Sequence, residues 1–111
     1  DWSYAAAASG IVNTTTAVTI KSAAGASIRN MITSIQVMAE TLGAATELAI
    51  RDGAGGTVLW RIKLPTGGLP ATTFDFSSPL KGTANTLMEV VTLSASVTGA
   101  VYFNAQGYNG F

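Results

Sequence analysis

Short runs of β-branched and aromatic residues, divided by turns that contain glycine or proline, recur along the whole chain. Such residues suit the pleated, half-buried surface of a sheet, and glycine readily takes the positive φ that tight turns need. The clearest turn, Asp52-Gly-Ala-Gly-Gly56, predicts a hairpin between the runs that flank it. The principal predicted strands are Ile11–Ala23, Ile28–Glu40, Ala45–Asp52, Thr57–Leu64, Thr73–Ser77, Leu87–Leu93 and Ala100–Tyr108.

The segment Ile28–Glu40 is the one place where a helix competes with a strand. Ile28, Ile32 and Ile35 would share a helical face. The many β-branched residues and the lack of a capping residue followed by an acidic first turn favour a strand. We therefore predict a strand that is apolar, and covered, on both faces. One face carries Met31, Ile35, Val37 and Ala39, interrupted by Thr33, and the other carries Ile28, Ile32 and Met38.

Prolines set two further boundaries. Pro65–Ala71 is predicted to be a loop, because its two prolines cannot donate to a sheet ladder, and Pro79 is predicted to end the strand before it. The last third of the chain, Ser78–Tyr108, predicts two strands paired as a hairpin. Small residues and a glycine, Ser94–Gly99, form its short loop.

Together, the predicted strands define an all-β chain. A chain of 111 residues fits one domain. Seven or eight short strands with glycine and proline turns predict an antiparallel β-sandwich of about eight strands, best matched by a jelly roll, with an immunoglobulin-like sandwich as the alternative. We assign residues 11–111 to this domain and residues 1–10 to an N-terminal arm. Trp2 and Tyr4 share one side of that arm, and either cap the domain's own core or lie on a neighbouring subunit.

The low charge of the chain suggests what surrounds it. Charged residues make up 11% of the sequence, against about 25% in ordinary soluble domains, and six basic side chains balance six acidic ones. A small net charge permits self-association, so the composition favours a surface covered by partners. The basic residues are dispersed, which argues against nucleic acid. No apolar run approaches the length of a membrane span, so no membrane partner is expected.

The chain offers little for catalysis. It contains neither histidine nor cysteine, so it lacks the usual zinc ligands, thiol nucleophiles and histidine-based triads, and we predict no cofactor and no enzymatic activity. Asp75 and Glu89 would form a glycosidase-like pair only if their strands brought them to one cleft. Glu89 lies among apolar residues, so we expect it either to face solvent or to pair with an arginine at a subunit seam. Arg29, Arg51 and Arg61 are the candidate partners.

Aromatic side chains supply the other candidate surface. Trp60 alternates in phase with Val58 and Ile62, so we expect it in the core. Tyr102 and Tyr108 share a strand face with Asn104 and Gln106, a polar–aromatic pattern that suits a subunit contact, an ordinary surface or a carbohydrate platform.

Several phrases of the sequence resemble small virion proteins of tailed bacteriophages. They are the ending, with Pro79-Leu-Lys-Gly-Thr-Ala-Asn-Thr-Leu87, Glu89-Val-Val91 and Gly99-Ala-Val-Tyr-Phe-Asn-Ala-Gln-Gly-Tyr108, and two earlier runs, Arg29-Asn-Met-Ile-Thr-Ser-Ile-Gln36 and Ala49-Ile-Arg-Asp-Gly53. The resemblance covers most of the chain after Gly10. It implies a jelly-roll sandwich that assembles as a trimer and serves as a capsid decoration (cement) protein, or as a head-fibre or tail component. It supplies no active-site residues.

This resemblance and the residue patterns predict one function. The chain is expected to be a structural virion protein on the capsid surface, with copies of itself and a major capsid protein or another virion protein as its partners. The alternatives are a receptor- or carbohydrate-binding virion module and, more weakly, a glycoside hydrolase. The residues predicted at the subunit or capsid interface are Trp2, Tyr4, Arg51, Arg61, Glu89, Tyr102 and Tyr108.

Overall fold

The computed structural model describes residues 1–8, 10–12, 16–93 and 98–111. These residues form nine β-strands and contain no helix. The strands are Trp2–Tyr4 (β1), Ile11–Val12 (β2), Val18–Lys21 (β3), Arg29–Ala39 (β4), Thr46–Asp52 (β5), Thr57–Leu64 (β6), Leu69–Lys81 (β7), Met88–Thr92 (β8) and Ala100–Gly110 (β9).

The strands form two antiparallel sheets that pack as a β-sandwich. In the first sheet β9 lies beside β4, β4 lies beside β7, and the short strands β1 and β2 share the outer edge of β9. The second sheet has the order β3-β8-β5-β6. Along the chain, strands β2 to β9 alternate between the sheets except at the β5–β6 hairpin, which lies within the second sheet. This is the strand order of a jelly roll, so the predicted fold class is confirmed.

The core lies between the sheets. The first sheet contributes one side of β4 and β9, and the second contributes the facing sides of β5 and β8. At the margin, Trp60 of β6 packs against Phe74 and Phe76 of β7, with ring centroids 5.3 and 6.5 Å apart. Its predicted place in the core is confirmed in part, because Trp60 is partly buried and packs against the core from its margin. The fully buried side chains include Ile32, Ile35, Val37, Leu48, Ile50, Leu64, Met88, Val90 and Phe103.

Local patterns predicted several elements well. The hairpin around Asp52–Gly56 is present, and Gly53 and Gly55 both have positive φ. Strand β6 has the predicted bounds. The ambiguous segment is a strand, Arg29–Ala39, as predicted.

The predicted faces of β4 and β6 were partly wrong, because both strands take part in register shifts. On β4 one of two shifts lies between Ile32 and Ser34, so Ile32 joins Ile35 in the core between the sheets, whereas Met31 is buried outside that core. On β6 the shift places Val58 opposite Arg51 of β5, so Val58 does not share the core-facing side of Trp60 and Ile62.

The predicted hairpin of the last third was wrong. Strand β8 pairs with β3 and β5 in the second sheet, whereas β9 pairs with β4, β1 and β2 in the first. The connection between them therefore crosses from one sheet to the other. Residues 94–97 of the predicted loop lie outside the described part of the chain, and Gly99, at its end, has a φ of 95°.

Two other boundaries also differ from the prediction. The single strand predicted over Ile11–Ala23 is divided between the sheets, as β2 and β3, and residues 13–15 of it are not described. The prolines do not bound β7, which runs from Leu69 to Lys81 through Pro70 and Pro79. β7 is the edge strand of its sheet, and Pro79 lies where its pairing with β4 is interrupted, so neither position needs a ladder donor.

Candidate interaction surface

The outer face of the first sheet carries four alternate side chains of β9: Tyr102, Asn104, Gln106 and Tyr108. We call them the amide–aromatic strip. The residues between them, Val101, Phe103 and Ala105, are buried in the core. Successive side chains of a strand point to opposite faces, and only one face of β9 is covered by the second sheet, so outward-facing and buried residues alternate. The four residues share one face, as the sequence predicted.

Hydrogen bonds from β4 fix the centre of the strip. Gln36 and Gln106 each donate an amide N–H to the other's side-chain oxygen, and both bonds are 2.8 Å long. The hydroxyl of Ser34 donates to the same Gln106 oxygen at 2.6 Å. The Thr33 hydroxyl donates to the Gln106 carbonyl oxygen at 3.1 Å. Gln106 is therefore held in one orientation on an otherwise solvent-facing sheet, a role for Gln36 that the sequence interpretation missed.

Two depressions adjoin the strip. A cavity of about 530 Å³ is lined by residues that include Trp2, Thr33, Gln106 and Tyr108. A smaller one of about 190 Å³ lies at the other end, beside Tyr102. Tyr108 is 37% exposed. The face is thus a partly apolar surface with ordered amide groups, which is the composition of many protein-binding patches.

Charge is distributed unequally between the two outer faces. The second sheet places Glu47, Arg51, Arg61, Lys63 and Glu89 on its outer side. The outer side of β4, β7 and β9 carries Asp75, between Thr73 and Ser77, and Arg29 and Lys81 near one end, but no charge lies within the strip itself. Depletion of charge with enrichment of aromatic residues distinguishes interfaces from ordinary surface.

The N-terminal aromatics lie on the same sheet. Trp2 and Tyr4 flank Ser3 in β1, and the register pairs them with Gly107 and Ala105 of β9. Both side chains are partly buried and pack against the core. Of the two predicted positions, the structure shows the one on the domain's own core.

Glu89 lies on the outer side of β8, opposite Arg51 of β5. It is only 4% exposed, and Arg51 Nη2 and Nε each lie 2.6 Å from its Oε2. The backbone N–H of Gly55 donates to the same oxygen at 3.1 Å, so the β5–β6 turn closes over the carboxylate. A buried carboxylate needs such partners. Here all of them come from one chain, so the burial of Glu89 requires no second subunit.

The other two candidate arginines have different partners. Arg61 pairs with Glu47 at 3.0 Å on the exposed second sheet, with 57% of its side chain accessible. Arg29 donates to the carbonyl oxygen of Gly82 at 2.9 Å.

Asp75 and Glu89 do not share a cleft. Their strands, β7 and β8, belong to different sheets, and the two carboxylates point outward from opposite faces of the sandwich. The condition on which a glycosidase-like pair depends is therefore not met. Among the described residues, no group of three or more acidic side chains is placed to hold a metal ion.

Comparison of the chain with protein-family models, curated proteins and solved structures gave no significant match. Within the described residues, no helix has the length and apolar character needed to cross a membrane.

Proposed function

We propose that this protein is a structural virion protein of the capsid-decoration (cement) kind. It acts by association with copies of itself, as a homotrimer, and by packing on a larger virion partner such as the major capsid protein. The proposal is supported by the resemblance of its sequence phrases to phage virion proteins and by its jelly-roll fold.

The observation that carries the proposal is the contrast between the two outer faces. The second sheet presents charges and ion pairs, whereas the strip presents two tyrosines and two amides. Desolvation of such a face costs less than for free amides, because the Gln36 and Gln106 side chains each already donate one N–H to the other's oxygen. Their fixed orientation also lowers the side-chain entropy lost when a partner binds. We therefore assign the strip to the contact between copies.

Sedimentation velocity at micromolar concentration tests this assignment. The unaltered chain is expected to sediment as a trimer. Tyr102→Glu places a charge within the strip and is expected to give a folded monomer. Lys63→Glu introduces the same side chain on the outer side of the second sheet and is expected to leave the trimer intact. An unaltered chain that sediments as a monomer overturns the proposed self-association, and electron microscopy of intact particles then tests the virion location on its own.

The cavity beside Trp2 favours a second candidate, a carbohydrate-binding virion module. It combines aromatic rings with the amide and hydroxyl groups of Gln106 and Thr33, which is the chemistry that recognises sugars. A glycan array separates the two candidates. Saturable binding to one glycan class that is lost in Tyr108→Ala, which alters the cavity lining, and retained in Tyr102→Ala, at the other end of the strip, would favour the carbohydrate module. Its absence supports the decoration protein.

A further inference from the structure

The edge of β9 holds the N-terminal strand in a well-defined slot. Strand β1 pairs antiparallel with β9, placing Trp2 opposite Gly107, Ser3 opposite Gln106 and Tyr4 opposite Ala105. Only three residues make this pairing. The slot is therefore a short stretch of open sheet edge that one added strand completes.

Side-chain contacts make the slot selective for this strand. The indole of Trp2 lies against Gly107 so closely that a Cβ there would stand 2.8 Å from a ring carbon, so glycine is required beneath the ring. The indole N–H donates to the carbonyl oxygen of Tyr108 at 3.3 Å. Beyond the strand, the backbone N–H of Ala6 donates to Asn104 Oδ1 at 2.8 Å. The slot thus recognises an extended segment with an aromatic residue, a small residue and a second aromatic residue.

Small residues make up the connection that follows β1. Its sequence, Ala5-Ala-Ala-Ala-Ser-Gly10, has no large side chain, and Ala7 and Ala8 are exposed. A cavity of about 70 Å³, lined by Tyr4, Ala6, Phe103 and their neighbours, lies beneath it. Segments with few packed contacts open at low cost. When β1 leaves the slot, the contacts that Trp2 and Tyr4 make with the core are lost, and the β1 strand of another copy can restore them.

We infer that β1 exchanges between copies, so that the N-terminal strand of one copy occupies the β9 slot of another. The exchanged strand makes the same ladder, indole and Asn104 contacts as the strand in its own chain, and exchange of an identical element is a low-cost route to association. The inference rests on the proposed function in one respect, since self-association keeps the copies close together. It adds the element that links them.

Mixed disulfide formation tests the exchange, because the chain contains no cysteine. Ser3 and Gln106 face each other in the register, so Ser3→Cys in one full-length chain and Gln106→Cys in another are held opposite each other when β1 crosses between copies. Isotopic labelling of one chain identifies the mixed dimer by mass. The control replaces Gln106→Cys by Thr73→Cys, an exposed position on β7 of the same sheet.

The expected result is mixed-dimer formation at least tenfold faster with Gln106→Cys than with Thr73→Cys, and a return to the control rate when Trp2→Ala is added to the Ser3→Cys chain. A benzophenone attached at Ser3→Cys, mixed with a labelled chain of unaltered β9, should cross-link to residues 105–108. Equal rates for the two cysteine positions, together with no such cross-link, overturn the exchange. A trimer that shows neither signal would overturn the exchange alone, whereas a protein that sediments as a dimer and shows both signals would overturn the proposed trimer alone.

Discussion

Arg51 and Glu89 face each other across β5 and β8, and two arginine nitrogens lie 2.6 Å from a single carboxylate oxygen. The carboxylate is almost fully buried on the outer side of the second sheet, beneath the β5–β6 turn. Through its contacts, Glu89 of β8 is bonded both to the neighbouring strand β5 and to the turn that follows β5. The ion pair therefore stabilises the fold of a single chain.

Removal of the arginine should therefore be costly. Arg51→Met leaves Glu89 buried with one remaining donor, and we expect the free energy of unfolding to fall by about 2–3 kcal/mol, below the usual range for a fully buried pair because Arg51 retains 22% side-chain exposure. Arg61→Met breaks the exposed pair with Glu47 and should cost less than about 1 kcal/mol. Urea unfolding of both variants measures the difference. Equal losses would show that the burial of Glu89 has no energetic consequence.

A second prediction concerns two glycines of β9. A Cβ at Gly107 would overlap the Met31 carbonyl oxygen and crowd the Trp2 ring, so Gly107→Ala must displace β4 or β1. We expect a loss of about 3 kcal/mol, as for other overpacked sites. At Gly110 an added Cβ makes ordinary contacts at 3.5 and 3.6 Å, and Gly110→Ala should be neutral within about 0.5 kcal/mol. Thermal unfolding of the two variants checks this contrast, and a Gly107→Ala chain as stable as its Gly110→Ala counterpart would contradict it.

Sequence patterns predicted the local parts of this fold and missed the long-range ones. The Asp52–Gly56 hairpin was predictable because the turn residues themselves dictate which strands meet. The partners of β8 and β9 were not, because strand composition shows that a run suits a sheet without showing which sheet. The path of β7 through its prolines depends on its position at an edge, which only the topology reveals.

For the candidate surface too, the local features were predictable from the sequence and the long-range contacts were not. Alternation along β9 predicted that Tyr102 and Tyr108 share a face. For Glu89 the sequence left two alternatives, a solvent-facing side chain and a pair with an arginine at a subunit seam. The structure shows a pair with an arginine of the same chain, and the choice of Arg51 depends on the β5–β8 register. Gln36 and Gly107 were missed because each matters through a partner far away along the chain. Gln36 of β4 bonds to Gln106 of β9, and Gly107 of β9 lies against Trp2 of β1. A polar residue that alternates with buried ones in β4 was the available signal for Gln36.

The third prediction concerns Asn30, which is fully buried at the start of β4. Its amide group donates to the carbonyl oxygens of Ser22 and Thr86 at 3.0 and 3.3 Å, and so ties two connections to the sheet. Asn30→Asp replaces this donor by an oxygen that faces two carbonyls, and we expect a loss of about 3 kcal/mol or more. Asn109 lies opposite in the register but is exposed, so Asn109→Asp should change stability by less than about 0.5 kcal/mol. Similar urea midpoints for these two variants would contradict the assigned role.

The last prediction separates surface order from fold stability. Gln36→Ala removes both bonds to the Gln106 amide but leaves its Ser34 contact, so the centre of the strip gains side-chain freedom that binding must then restrict. Because water replaces the lost bonds on an outer face, the free energy of unfolding should change by less than about 1 kcal/mol. Self-association should nevertheless weaken about tenfold, equivalent to about 1.4 kcal/mol, in sedimentation equilibrium. Thr73→Ala alters the same sheet outside the strip and should leave association unchanged. If the two variants associated equally well, the order imposed by Gln36 would have no part in the contact between copies.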